Sequence, residues 1–202
     1  FAAGARGRVF GRVRDGAGVR VQPAFRFADV GTGSGAIAVS IAKYASERTS
    51  VEGYATDISE AALEVARENA AEHGVAGMIR FLHGSLLEPV ARVVAPQVLD
   101  AVVSNPPYIE PHAFEALQPE VRLFEPVVAL RCEDPMRMYR TIAVQAAALL
   151  REGGLLAVEV GAGQARSAAR EFDRTGLYAD IRIIQDLAGI ERVVCCNRGS
   201  GG

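Results

Sequence analysis

Asn105-Pro106-Pro107-Tyr108 is the stretch of this chain best suited to chemistry. It follows Leu99-Asp100-Ala101-Val102-Val103-Ser104, which reads as a buried strand ending in a polar residue. Two successive prolines cannot continue a strand or enter a helix interior. The chain must therefore turn at the strand's carboxyl end, where open α/β sheets place their ligands. The turn leaves two acceptors, the Asn105 side-chain oxygen and the Pro106 carbonyl, with no proline N–H to compete. Tyr108 adds an aromatic plane. Two acceptors beside a ring make a holder for a flat, neutral –NH2 group.

A second constellation is Asp29-Val30-Gly31-Thr32-Gly33-Ser34-Gly35. Glycines at 31, 33 and 35 let the backbone pass close under a ligand. The spacing is GxGxG, not the GxGxxG of most dinucleotide sites. Asp29 stands two residues before the first glycine. A carboxylate there suits a cationic amino-acid end and sits badly beside a pyrophosphate. Asp57, at the end of the next strand, is placed either to accept from both hydroxyls of a ribose or to serve as an acid at a helix N-terminus. Ser85 follows the third strand, where an adenine would lie. Its hydroxyl suits the adenine edge or a plain turn. A ribose acid and a glycine loop without phosphate logic suggest S-adenosylmethionine.

These residues need a frame, and strands alternate with helices from residue 25 onward. Strands are predicted at Phe25–Val30, Val51–Thr56, Met78–His83, Leu99–Ser104, Leu155–Val160, Asp180–Gln185 and Glu191–Cys196. Helices are predicted over Gly35–Ser46, Glu60–His73, Pro135–Arg151 and Gln164–Thr175. Ser59 is a good N-cap and Gly74 a good stop for the second helix. A loop-rich stretch with five prolines runs from Pro106 to Asp134. The fold class expected is α/β: a Rossmann-like, seven-stranded, mostly parallel sheet with an antiparallel last strand and helices on both faces. Residues 1–24 form an arm or a β-hairpin linker around Asp15-Gly16-Ala17-Gly18, residues 25–198 one catalytic domain, and 199–202 a disordered tail.

Composition narrows the classes. The 202 residues are 50% hydrophobic and 23% charged, with a formal net charge of −2. That is the make-up of one globular domain without a strong nucleic-acid footprint. Cys132, Cys195 and Cys196 form no CxxC pair and read as reduced packing residues of a cytoplasmic protein. His73, His83 and His112 lack metal-ligand spacing, and no metal is expected. Arg6, Arg8, Arg12, Arg14 and Arg20 read as a solvated face, although they could touch a negative partner. No signal peptide or membrane-spanning run is evident.

With these motifs in hand, the chain resembles the glutamine methyltransferases that modify peptide chain release factors, within the class I S-adenosylmethionine methyltransferases. The resemblance covers about Phe25 to Arg198. It rests on the glycine loop, on Asn105 to Tyr108, and on Val121-Arg122-Leu123-Phe124-Glu125-Pro126 with Ala129-Leu130. It also rests on Glu159-Val160-Gly161 with Gln164, and on Asp186 to Val194. It implies methyl transfer to the glutamine amide nitrogen in the Gly-Gly-Gln loop of a release factor, by a monomer. The cofactor site would take in Asp29, Gly31, Thr32, Gly33, Gly35, Asp57, Ile58, Ser85 and Asn105. The acceptor would be held by Asn105, Pro106, Pro107, Tyr108 and Glu125, with Asn105, Pro106 and Tyr108 catalytic. Glu125 reads equally well as an exposed acid before a proline. Glu159 and Arg192 read as structural contacts near the sheet's end.

The chain departs from the family in four places, one of them before the glycine loop, where only Val21-Gln22-Pro23-Ala24-Phe25-Arg26 stands in place of an Arg-Pro-Glu-Thr-Glu-like segment and a helix. The helical amino-terminal domain has no counterpart here, Ser85 stands where an acid is usual, and Arg131-Cys132-Glu133-Asp134-Pro135 replaces a glycine-containing turn. Three other readings remain: glutamine methylation of a ribosomal protein, amino methylation of adenine in nucleic acid, and a remnant that binds cofactor without catalysing. A dinucleotide oxidoreductase is disfavoured by the GxGxG spacing and Asp29.

Overall fold

A computed structural model describes residues 23–109 and 131–200, together with the backbone of two short strands before them. Those two, β1 (Arg12–Asp15) and β2 (Gly18–Val21), pair antiparallel on their own. The remaining elements are β3 (Phe25–Val30), α1 (Ala36–Ser46), β4 (Val51–Asp57), α2 (Glu60–Glu72), β5 (Ile79–His83), α3 (Glu88–Ala91) and β6 (Leu99–Ser104). After these come α4 (Pro135–Leu149), β7 (Leu150–Glu159), α5 (Ala165–Arg174), β8 (Tyr178–Gln185) and β9 (Glu191–Arg198).

The seven strands from β3 onward form one sheet in the order β5-β4-β3-β6-β7-β9-β8. Pairs from β5 through to β7 are parallel, and β9 runs antiparallel to both neighbours. This is the expected class I architecture. The order reverses beside β3, whose chain neighbour β4 lies on one side and β6 on the other. That switch point opens a crevice at the carboxyl ends of β3 and β6.

Successive strand residues face opposite sides of a sheet, and the core divides accordingly. Phe27, Ala55 and Ala101 pack with Ala38, Val39 and Ala42 of α1 and Ala70 of α2. Ala28, Tyr54 and Val102 face the other way, onto Tyr139, Ile142 and Ala146 of α4 and Phe172 of α5. Helices therefore cover both faces. Ser59 caps α2 by accepting from the Ala62 N–H at 3.2 Å, and Gly74 lies past its end at φ 74°.

Some boundaries differ from expectation. α4 ends at Leu149, and β7 begins at Leu150 instead of Leu155. Gly153-Gly154 does not stop the helix but lies inside the strand, where Leu99 pairs with Leu150 across a register shift. β8 starts two residues early, at Tyr178, and β9 runs two residues further, to Arg198. α3 was not foreseen. Cys132, Cys195 and Cys196 are buried, and burial pushes the Cys196 thiol up to about 12. Among the described residues no helix is long and apolar enough to cross a membrane.

Candidate active site

The glycine loop between β3 and α1 is built around a buried acid. Asp29 has no solvent exposure. Its Oδ2 accepts from the Thr32 hydroxyl at 2.6 Å and from the Ala38 N–H at 3.0 Å. One carboxylate oxygen thus ties the loop to the first turn of α1, whose N-terminus favours negative charge. The other, Oδ1, is buried without a hydrogen-bond partner, the sole such side-chain atom among the described residues. Burial outweighs the two donors and pushes the carboxyl up to about 6.

The loop's own conformation requires glycine. Gly31 and Gly33 lie at φ 67° and 55°, in the left-handed region. A Cβ built on either would meet nothing within 4 Å, so it would project into the open crevice. The Thr32 N–H donates to the Thr56 carbonyl at 2.9 Å, which joins the loop to β4.

Asp57 completes that joint. Its Oδ2 accepts from the Gly33 N–H at 2.9 Å, and its Oδ1 from the Ser59 N–H at 2.9 Å. It is half-buried at the crevice rim. Beside the two sequence readings, this acid therefore has a third function, bracing the glycine loop. Each carboxylate oxygen keeps a second lone pair for a ligand hydroxyl. Ile58 follows it in the chain, an apolar residue 57% exposed. Ser85 is exposed, and its carbonyl accepts from the Glu88 N–H at 3.1 Å in the turn that starts α3.

Across the switch point, Ser104 ends β6 and donates from Oγ to the Val30 carbonyl at 2.8 Å. This buried bond locks the strand ends that carry the two motifs. Asn105 follows it, exposed, and among the described residues its side chain makes no hydrogen bond. Pro106 is buried and Pro107 half-buried. Tyr108 is half-buried against the α4 core. Its phenol is pushed up first by burial and then by Glu159, with Arg192 opposing.

Gln164 was quoted in the sequence only as part of a motif, and the structure gives it a role. Its Nε2 donates to the Tyr108 carbonyl at 3.1 Å. Its Oε1 accepts from the Tyr139 hydroxyl at 2.7 Å and the Gly161 N–H at 3.2 Å. Arg192 pairs with Asp186 at 3.4 Å, and its carbonyl accepts from the Val160 N–H at 2.9 Å. Glu125 and His112 lie outside the described residues, as do Arg6 and Arg8. Among the described residues no group of three or more His, Cys, Asp or Glu is arranged to hold a metal. A cleft of about 460 Å³ lies at the opposite end of the sheet, against Phe25, Arg26, Asp100 and Arg151, away from both motifs.

The crevice fits an S-adenosylmethionine-like ligand on three counts. It has an orphaned buried carboxylate oxygen at one end. It has a glycine cradle that any side chain would fill. It has an acid and an exposed apolar residue, Asp57 and Ile58, at the other end.

Comparison with known proteins agrees with this geometry. The chain is 44% identical over 170 residues to a release factor glutamine methyltransferase of Gloeobacter violaceus, covering 84% of this chain and 57% of that protein. A protein of the same name from Cereibacter sphaeroides is 44% identical over 167 residues, covering 82% and 57%. The chain thus spans a little over half the length of these relatives. Solved structures share the fold. TrmN from Thermus thermophilus matches with a TM-score of 0.59 at 24% identity, over 87% of this chain and 44% of that one. The ribosomal protein L11 methylase from Lactobacillus delbrueckii subsp. bulgaricus matches with 0.58 at 22%, over 88% and 72%. Residues 19–123 match the methyltransferase small domain. The chain belongs to the methyltransferase small domain family.

Proposed function

We propose that this chain is the catalytic part of a release factor glutamine methyltransferase. Residues 25–198 form the catalytic domain, and residues 1–24 the linker that leads into it. The substrate is the side-chain amide of the glutamine in the Gly-Gly-Gln loop of a peptide chain release factor. The chain acts as a single subunit in the cytoplasm. The observation that carries this reading is the exposed, uncommitted Asn105 side chain beside the Pro106 carbonyl, on a strand end locked to the glycine loop. The curated relatives named for this activity support it.

S-adenosylmethionine, when bound, supplies an electrophilic methyl group on a sulfonium sulfur. Asp29 would receive the amino-acid end, Gly31, Thr32, Gly33 and Gly35 the backbone approach, Asp57 the ribose, and Ile58 with Ser85 the adenine side. Everything else falls to the residues of the turn. An amide nitrogen is a weak nucleophile because its lone pair is delocalised into the carbonyl. The Asn105 side-chain oxygen and the Pro106 carbonyl accept its two N–H bonds and fix its direction. Tyr108 packs on the amide plane. Positive charge would grow on the nitrogen as it takes up the methyl group. Both acceptors then bind more strongly than in the ground state. One proton leaves the nitrogen for solvent. Positioning of this kind can supply up to roughly 7–11 kcal/mol.

The test is mass spectrometry of a purified release factor incubated with this chain and S-adenosylmethionine. One added methyl on the glutamine of the Gly-Gly-Gln peptide is expected. Methylation of a ribosomal protein or of adenine in its place would replace this reading.

A further inference from the structure

Tyr108 belongs to the turn after β6, Tyr139 to α4, Gly161 to the end of β7, and Gln164 to the start of α5. The Gln164 side chain joins all of them through one planar amide. Its nitrogen donates to the Tyr108 carbonyl, and its oxygen accepts from Tyr139 and Gly161. The Gly161 N–H also reaches the Tyr139 hydroxyl, at 3.3 Å. Tyr139 is fully buried, so the anchor on its side cannot drift. Gly161 has no room for a side chain, since an added Cβ would stand 2.8 Å from the Gln164 amide.

We propose that Gln164 is a positioning residue that fixes the height of the Asn105–Tyr108 turn over the sheet, and through it the direction of the two amide-holding acceptors. The chemistry admits few substitutes. The site needs one donor and one acceptor on a rigid head at this reach. A carboxylate keeps the acceptor for Tyr139 and Gly161 but turns its other oxygen against the Tyr108 carbonyl. A methionine keeps the volume and loses all three bonds. The effect on rate follows from geometry: a displacement of about 1 Å in a reacting group costs about 100-fold. The Gln164 amide bonds to Tyr108, Tyr139 and Gly161, none of them in the glycine loop or at Asp57, so its effect on cofactor affinity is expected to be small. The charged and titratable groups facing this cluster are Glu159 from β7, Arg192 from β9, Tyr139 from α4 and Cys132 before it.

The inference deepens the function proposed above and rests on it for the rate readout alone. Two measurements test it on the full chain. The first is hydrogen exchange at the Cys132 amide, which donates to the Ile109 carbonyl at 2.9 Å, one residue past Tyr108. Gln164→Met should raise that exchange severalfold while S-adenosylmethionine affinity by calorimetry stays within about twofold. Gly161→Ala, which pushes the amide aside, should do the same. Should Gln164→Met fail to fold, Tyr139→Phe removes one anchor and serves in its place. Unchanged exchange in a folded variant overturns the proposal. The second is methyl transfer by Gln164→Glu. Its kcat should fall about 100-fold, with KM for the release factor little changed. The ratio to wild type should recover as pH is lowered, as the half-buried acid introduced against the Tyr108 carbonyl takes up a proton and regains its donor. A ratio flat with pH overturns it. If the wild-type chain methylates no release factor, the function reading fails, and the exchange measurement still decides the role of Gln164.

Discussion

The Asp57 carboxylate accepts the Gly33 N–H at 2.9 Å, so the acid that ends β4 holds the glycine loop in place before any ligand arrives. Its other oxygen holds the Ser59 N–H at the entry to α2. Asp57→Asn places an NH2 against one of these N–H donors and forfeits that bond. A loss of roughly 1–3 kcal/mol is expected in the unliganded protein. S-adenosylmethionine affinity should fall by a larger factor than stability predicts, because a ribose partner is lost as well. Chemical denaturation beside calorimetry separates the two. Unchanged stability with lost binding would leave the bracing role without support.

Asp29 gives a pH dependence with a definite sign. Burial raises its carboxyl to about 6, against an ordinary 3.8. A raised acid holds its proton more tightly folded than unfolded. Its stabilisation is full below the unfolded value and is lost as pH rises through about 6. The size is about 3 kcal/mol at roughly 1.4 kcal/mol per unit. Denaturation of the unliganded chain should show this decline between about pH 4 and pH 7. Asp29→Asn, which keeps an acceptor for Thr32 and Ala38, should remove it. A cationic ligand group near Oδ1 favours the ionised form, so wild-type affinity for S-adenosylmethionine should rise over the same interval. An equal slope in the variant would point to another group.

Asn105→Ala removes one of the two acceptors and nothing that the fold uses among the described residues. Stability should change by less than about 0.5 kcal/mol. Turnover on a release factor should drop by about 10²–10³, as for loss of one transition-state partner. Cofactor affinity by calorimetry should hold. Retained turnover would mean that the amide is held elsewhere.

Gly53→Ala tests the sheet beneath the site. A Cβ on this β4 residue would lie 2.7 Å from the Phe27 ring, deep between β3 and β5. Overpacking of this kind costs about 1–3 kcal/mol. Thermal melting should register that loss, with S-adenosylmethionine affinity of the folded protein unchanged. A neutral result would show that the Phe27 ring swings clear.

The frame was legible in the sequence because parallel strands buried on both faces are written as short apolar runs, and helix ends as Ser59 and Gly74. Boundaries went astray where pairing overrode local preference. Gly153-Gly154 signals a helix stop, yet Leu150 is recruited into β7 by Leu99. α3 is one turn long and starts beside Pro89, too short for a periodic signal. At the site, the two motifs were readable as strand-end turns, and the hydrogen bonds that their side chains make were not. Asp29 read as suited to a cation, and the sequence did not show that one of its oxygens is already taken by Thr32 and the Ala38 N–H. Gln164 was invisible as a clamp because Tyr108, Tyr139 and Gly161 meet it only after folding.

Ile109 and Arg131 form an isolated parallel bridge, and the Cys132 N–H returns to the Ile109 carbonyl. Among the described residues, the chain that leaves the turn at Ile109 is thus joined to it again at Arg131 and Cys132. The tetrapeptide stays anchored by Ser104 on one side and Gln164 on the other. The tetrapeptide is thus held at both ends by bonds that belong to the sheet and helix frame, so its place is set before any acceptor arrives.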